Sequence, residues 1–125
     1  MLLNNYYTIA GERNEGGKDI YDIILNPASE IYKGHFPGMP VAPGACNIQM
    51  LTECASKVTG KELMIDAVSK CKFRSLIALQ DGNLLRLEMQ LEEEKQGTYT
   101  IDAKIFRDTV TCVEFKGELS CFVFL

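Results

Sequence analysis

His35 is the only histidine of the 125-residue chain. It stands in the stretch Gly34-His35-Phe36-Pro37-Gly38-Met39-Pro40-Val41-Ala42-Pro43-Gly44, which holds three of the four prolines and three of the ten glycines. Proline fixes φ and glycine frees it, so the backbone path here is narrowly specified. Imidazole is the side chain whose ordinary pKa lies nearest neutrality, which suits it to acid–base work. A helical pattern from Ala45 to about Thr59 follows at once. Its first turn offers unpaired N–H groups and a positive dipole end. A specified loop that delivers a titratable side chain to the N-terminus of a helix fits an active-site device. A Pro-rich turn with a solvent-facing histidine is the plainer reading of the same residues.

The helix that positions this stretch is the best-defined element. At 100° per residue Asn47, Met50, Leu51, Cys54, Ala55 and Val58 form one stripe, in which Asn47 is the only strongly polar member. Gln49, Thr52, Glu53 and Ser56 form a narrow polar strip opposite. Gly60 fits the position just past a helix end. Cys46, in the first turn, reads either as a low-pKa thiol or as a small packing residue.

The rest reads mostly as strand. Tyr6, Tyr7 and Ile9 start one, Asn14 to Lys18 forms a turn, and Asp19 to Leu25 is a second strand stopped by Asn26-Pro27. Ser29 to Tyr32 fits one helical turn. Glu62 to Val68 and then Ser69 to Arg74 follow the long helix, with a break at Gln80 to Asn83. Leu85, Leu87, Met89 and Leu91 alternate with polar residues, as do Tyr99, Ile101, Ala103 and Ile105. Glu92 to Gly97 reads as the turn between them, its three glutamates solvated. The final run sets Val113, Phe115, Leu119, Cys121, Val123 and Leu125 on one face. Sequential strands without crossover helices make an antiparallel sheet, and one amphipathic helix covers a single face of it. The expected class is α+β, one domain over residues 1–125, with the sheet curled around one central helix.

Composition narrows the function. Net charge is −4 and no Lys/Arg cluster stands out, so the footprint of a nucleic-acid binder is missing. No apolar run is long enough to span a bilayer, and the N-terminus lacks a signal-peptide layout. The five cysteines are odd in number and include no Cys-x-x-Cys pair, which argues against a zinc site or a disulfide framework. Reduced thiols in the cytoplasm are the economical expectation.

The segment Gly34-His35-Phe36-Pro37-Gly38-x-Pro40-Val41-x-Pro43-Gly44 resembles the active-site motif of 3-hydroxyacyl-acyl-carrier-protein dehydratases of the FabZ/FabA type, hotdog-fold enzymes of fatty-acid synthesis. Lys72-Phe73-Arg74, ahead of Gln80-Asp81, resembles their second signature, although Leu79-Gln80 stands where Pro-Gly is expected. The resemblance covers about Asp19 to the C-terminus. It implies that His35 is the base for the Cα proton and that the Gly44 N–H polarises the thioester carbonyl. Phe36, Pro43 and Phe73 are then substrate-binding, in a tunnel lined by the apolar helix face.

A second departure from the family pattern lies in the helix. The family places a Glu or Asp fourteen residues after the histidine, reaching an adjacent subunit's site, and here that residue is Gln49. An amide hydrogen-bonds a hydroxyl but hands over no proton at neutral pH. Losing a positioned general acid costs roughly 10²–10⁴ in rate. Glu53, one turn along the same face, is a candidate substitute, as is a water held by Gln49.

The resemblance therefore implies a dehydratase of acyl-carrier-protein or CoA thioesters, with no metal or redox cofactor beyond the pantetheine arm that a carrier protein brings. The fold of that family joins two six-stranded sheets edge to edge, which also removes an exposed edge strand, so the resemblance makes a homodimer the minimum assembly. The alternative is a helper hotdog subunit that binds acyl thioesters and pairs with an active dehydratase as a heterodimer. Thioester hydrolysis ranks third, because His-Phe-Pro-Gly is not the motif of those enzymes.

Overall fold

The computed structural model describes residues 1–34 and 40–121. Six strands, β1 (Tyr7–Glu15), β2 (Lys18–Leu25), β3 (Leu63–Phe73), β4 (Leu84–Lys95), β5 (Thr98–Arg107) and β6 (Val110–Cys121), form one sheet in the order β1-β2-β4-β5-β6-β3. Every neighbouring pair is antiparallel. The helix α1 (Gly44–Thr59) lies between β2 and β3 in the chain, and short 3-10 turns occupy Glu30–Gly34 and Leu79–Asp81. This is the α+β arrangement that the alternating strands and the single amphipathic helix predict.

The period-two patterns set which face of the sheet meets the helix. Leu85, Leu87 and Met89 of β4, Ile101, Ala103 and Ile105 of β5, and Val113, Phe115 and Leu119 of β6 are buried. They form one core with Met50, Leu51, Cys54 and Ala55 of α1. Gly60 adopts φ 70° and its N–H bonds the Ser56 carbonyl, ending the helix as a left-handed cap.

Three local expectations need correction. Thr52 is buried rather than on the polar strip, because its hydroxyl donates back to the Ile48 carbonyl at 2.9 Å and needs no water. Residues Leu63–Phe73 are one continuous strand that absorbs irregularities between Ile65 and Ala67 and between Val68 and Lys70. Pairing of β4 with β5 runs through Glu92, Glu93 and Lys95, so the turn shrinks to Gln96-Gly97 while the three glutamates stay exposed. Val123 and Leu125 lie outside the described residues.

Candidate active site

A short ladder fixes the chain where it enters α1. Ala42 N–H donates to the Ile77 carbonyl at 2.8 Å, and Leu79 N–H donates to the Pro40 carbonyl at 3.0 Å, with Val41 bridged to Ala78. Pro43 then takes the N-cap position at φ −66° and ψ 139°, and the first helical bond runs from Asn47 N–H to the Pro43 carbonyl. No side chain caps this end, and no acidic residue stands in the first turn. The amides of Gly44, Ala45 and Cys46 precede that first bond, so they have no acceptor within the helix. A positive dipole end is left without an internal counter-charge.

Gly44 is required here by a close approach. A Cβ at this position would fall 2.7 Å from Cζ and 2.8 Å from Cε1 of Phe73, the last residue of β3. The Phe73 ring, 56% exposed, forms one wall of a cleft of about 230 Å³ that also reaches Asn47, Leu76, Ile77 and Val113. Its lining is mostly apolar, while the helix start supplies hydrogen-bond donors. A larger groove of about 490 Å³ lies on the far face of the sheet, among Gln90, Glu92, Asp102, Lys116 and Glu118. It is remote from the helix start and mixes both signs of charge.

Gln49 and Glu53 lie on another side of α1. Among the described residues neither lines the Gly44 cleft. Gln49 Nε2 donates to Glu53 Oε2 at 3.0 Å. The same carboxylate accepts Leu2 N–H at 2.8 Å, Leu3 N–H at 3.1 Å and the Tyr7 hydroxyl at 3.0 Å. Burial alone would raise the Glu53 pKa, but these four donors outweigh it and hold the carboxyl below its ordinary range. Glu53 is thus an ionised clasp for the N-terminal segment. Cys46 packs half-buried against the core, and that burial pushes its thiol up, in keeping with the packing reading.

Gly44 and Phe73 line one cleft, Pro43 sits beside it as the helix N-cap, and Gln49 and Glu53 meet each other elsewhere. His35 and Phe36 lie outside the described residues. Among the described residues no three His, Cys, Asp or Glu side chains converge to hold a metal ion, and no helix is long and apolar enough to cross a membrane. Two features escaped the sequence reading. The tie from Glu53 to Leu2 and Leu3 is a backbone contact across about fifty residues of chain and leaves no local signal. Asn47 had a signal, as the one polar residue of the apolar stripe. It is 2% exposed and accepts the Tyr6 hydroxyl at 2.7 Å.

The ApeI dehydratase family (ApeI-like) matches residues 12–114. The 3-hydroxyacyl-[acyl-carrier-protein] dehydratase FabZ of Lactobacillus helveticus is 33% identical over 123 residues, covering 89% of this chain and 82% of the relative. The FabZ of Lactiplantibacillus plantarum is 28% identical over 116 residues, covering 83% and 78%. In three dimensions the chain resembles the dehydratase heterocomplex ApeI:P from Xenorhabdus doucetiae, with a TM-score of 0.68 at 23% identity over 90% of this chain and 96% of that one. With a hotdog sheet curled on one helix and a family match spanning most of its length, the chain belongs to the ApeI-like dehydratase family.

Proposed function

We propose that the chain is a hydro-lyase that removes water from 3-hydroxyacyl thioesters carried on acyl-carrier protein or CoA, within acyl-chain synthesis. The observation that carries this reading is the uncapped helix start at Gly44, open to an apolar cleft walled by Phe73. Elimination begins when a base, assigned to His35, takes the Cα proton. The C–H electrons move toward the thioester carbonyl, whose oxygen gains charge next to the Gly44 N–H. They return to form the Cα–Cβ double bond as the 3-hydroxyl leaves with a proton. Pro43 and Phe73 orient the acyl arm, and Phe36 is assigned to the same task.

The departing hydroxyl needs a proton donor. Glu53 is a poor one, being ionised and engaged by four hydrogen bonds. Gln49 supplies a hydrogen bond but no proton, so in this reading a water held by its amide protonates the leaving hydroxyl, and the hydroxide left behind takes up the proton that His35 removed from Cα. Because Gln49 does not line its own protomer's cleft among the described residues, the reading also requires a second hotdog subunit to bring the two together. Further members of the assembly, the cytoplasmic setting and the pantetheine-borne substrate belong to the same proposal.

Gln49 itself favours a second reading, a helper subunit whose cleft is served by a partner that carries the carboxylate. The similarity to one component of a dehydratase heterocomplex supports it. Turnover of a short 3-hydroxyacyl/enoyl-pantetheine pair by purified protein separates the two, run beside His35→Ala and Gln49→Glu. Turnover abolished by His35→Ala supports the enzyme. An inert wild type that Gln49→Glu awakens supports the helper. Inertness of all three rules out the site assignment.

A further inference from the structure

Arg107 is the last residue of β5, and its side chain reaches a segment remote from it in sequence. Nη1 donates to the Ala78 carbonyl at 3.2 Å and Nη2 to the Leu76 carbonyl at 3.4 Å. Asp81 Oδ2 lies 3.8 Å from the same Nη2. The Arg107 side chain is only 16% exposed, so solvent screens these contacts little. A guanidinium is planar, always charged and carries its donors in a rigid fork. It therefore fixes the spacing of two carbonyls, which a single ammonium does not.

Residues 76–78 have a second neighbour on their other side. The Ile77 carbonyl, between the two that Arg107 holds, accepts Ala42 N–H at 2.8 Å. Leu79 N–H then donates to the Pro40 carbonyl at 3.0 Å. The segment is thus clamped between Arg107 and the residues that lead into α1. Before it, Arg74 and Ser75 N–H donate to the Cys112 carbonyl of β6 at 2.8 and 3.3 Å. After it, Leu79–Asp81 forms its own 3-10 turn. Among the described residues, the hydrogen bonds that join residues 76–78 to the sheet come from Arg107. Leu76 and Ile77 of this segment line the cleft with Gly44 and Phe73, whereas Arg107 does not line it.

We propose that Arg107 is a positioning residue for the dehydration. It fixes residues 76–78, and through their ladder with residues 40–42 it sets both the cleft wall and the path of the chain into Gly44. This inference rests on the dehydratase reading above, to which it adds a residue that acts from behind the wall without touching substrate.

The alternative is that Arg107 serves general stability only. Arg107→Met keeps much of the apolar stem and removes the fork. Amide hydrogen exchange on the full-length protein reads the clamp at Ala42 and Leu79, with amides of the β4–β5 ladder as the reference. Turnover of a short 3-hydroxyacyl-pantetheine, well below the melting temperature, reads its consequence. Exchange at Ala42 and Leu79 is expected to quicken about tenfold or more while the reference amides hold. A fall in kcat/KM of about ten- to hundredfold is expected, with kcat lowered and KM raised. Loss of folded protein by itself would lower kcat in proportion and leave KM unchanged. If Arg107→Met fails to fold, Arg107→Lys, which keeps the charge without the fork, is read the same way with the same expectation. Exchange that quickens evenly over all these amides, a fall in kcat at constant KM, or selective loosening with normal kinetics each overturns the positioning role and leaves the dehydratase reading intact. A wild type that turns over no thioester overturns the dehydratase reading and this inference with it.

Discussion

Gln49 Nε2 and Glu53 Oε2 lie 3.0 Å apart across one turn of α1, in the donor–acceptor sense amide to carboxylate. The residue that the motif resemblance sets in the acid position is therefore tied to a neighbouring carboxylate that is itself held ionised. Gln49→Glu would set two carboxyls one turn apart, where like charges raise the pKa of the less stabilised one. Glu53 keeps its donors from Leu2, Leu3 and Tyr7, so the newcomer takes the proton. Such a carboxyl is a competent general acid. Turnover of a 3-hydroxyacyl thioester is expected to rise by about 10²–10⁴, and kcat should fall as pH rises through the new group's pKa. A pH–rate profile of the variant beside wild type checks this, and equal rates would show that no acid is missing at residue 49.

Glu53 has a structural task that can be weighed separately. Glu53→Ala leaves the Leu2 and Leu3 amides and the Tyr7 hydroxyl without their acceptor. The expected loss is about 1–3 kcal/mol, the range for orphaned buried groups. Urea unfolding measures it, and amide exchange at Leu2 and Leu3 should accelerate in the same variant. Unchanged exchange at those two amides would mean that the clasp does not hold the segment.

The same clasp gives stability a pH dependence of defined sign. The folded-state pKa of Glu53 is below the ordinary carboxyl value of 4.5. Its contribution is therefore complete above about 4.5, the unfolded value, and is lost as pH falls through the lower folded value. Wild type should lose stability over that acid window more steeply than Glu53→Gln, whose amide does not titrate. Parallel unfolding curves for the two proteins from neutrality down through that window would exclude the linkage.

Much of the fold is legible in the sequence. Regular alternation in β4 and β5 announced half-buried strands, because burial of one face imposes period two on sequence. Gly44 announced itself through the motif, and the approach of the Phe73 ring supplies the physical reason. What stayed hidden depends on long-range contact. Nothing near Glu53 in the sequence indicates that Leu2 and Leu3 will donate to it, so its carboxyl read as a free acid. Thr52 read as polar because its hydroxyl was counted against water, whereas it is satisfied within the helix.

Gly117 in β6 reports how tightly the irregular edge strand β3 is seated. A Cβ there would lie 2.3 Å from the Ala67 carbonyl oxygen, a main-chain atom that cannot rotate away. Gly117→Ala must push β3 off β6 and is expected to cost about 1–3 kcal/mol, as overpacking does. Thermal unfolding measures the cost. A variant as stable as wild type would mean that the β3 irregularities absorb the methyl without loss.

At Gly44 the opposite balance holds, because the obstructing atoms belong to a half-exposed ring. Gly44→Ala places its methyl against Cζ and Cε1 of Phe73, and that ring has solvent to swing into. Alanine is also the better helix former by about 1 kcal/mol. Stability should therefore stay within about 1 kcal/mol of wild type. The cleft wall, however, moves, and misplacing substrate by about 1 Å costs on the order of 10²-fold in rate. The expected signature is a nearly normal melting curve with kcat/KM for an acyl thioester reduced by about that factor. Adding Phe73→Ala makes room for the methyl and should recover part of the loss, although Phe73→Ala alone weakens binding. If Gly44→Ala unfolds the protein, the glycine is kept for packing. If it alters neither melting nor turnover, Phe73 does not wall the working cleft.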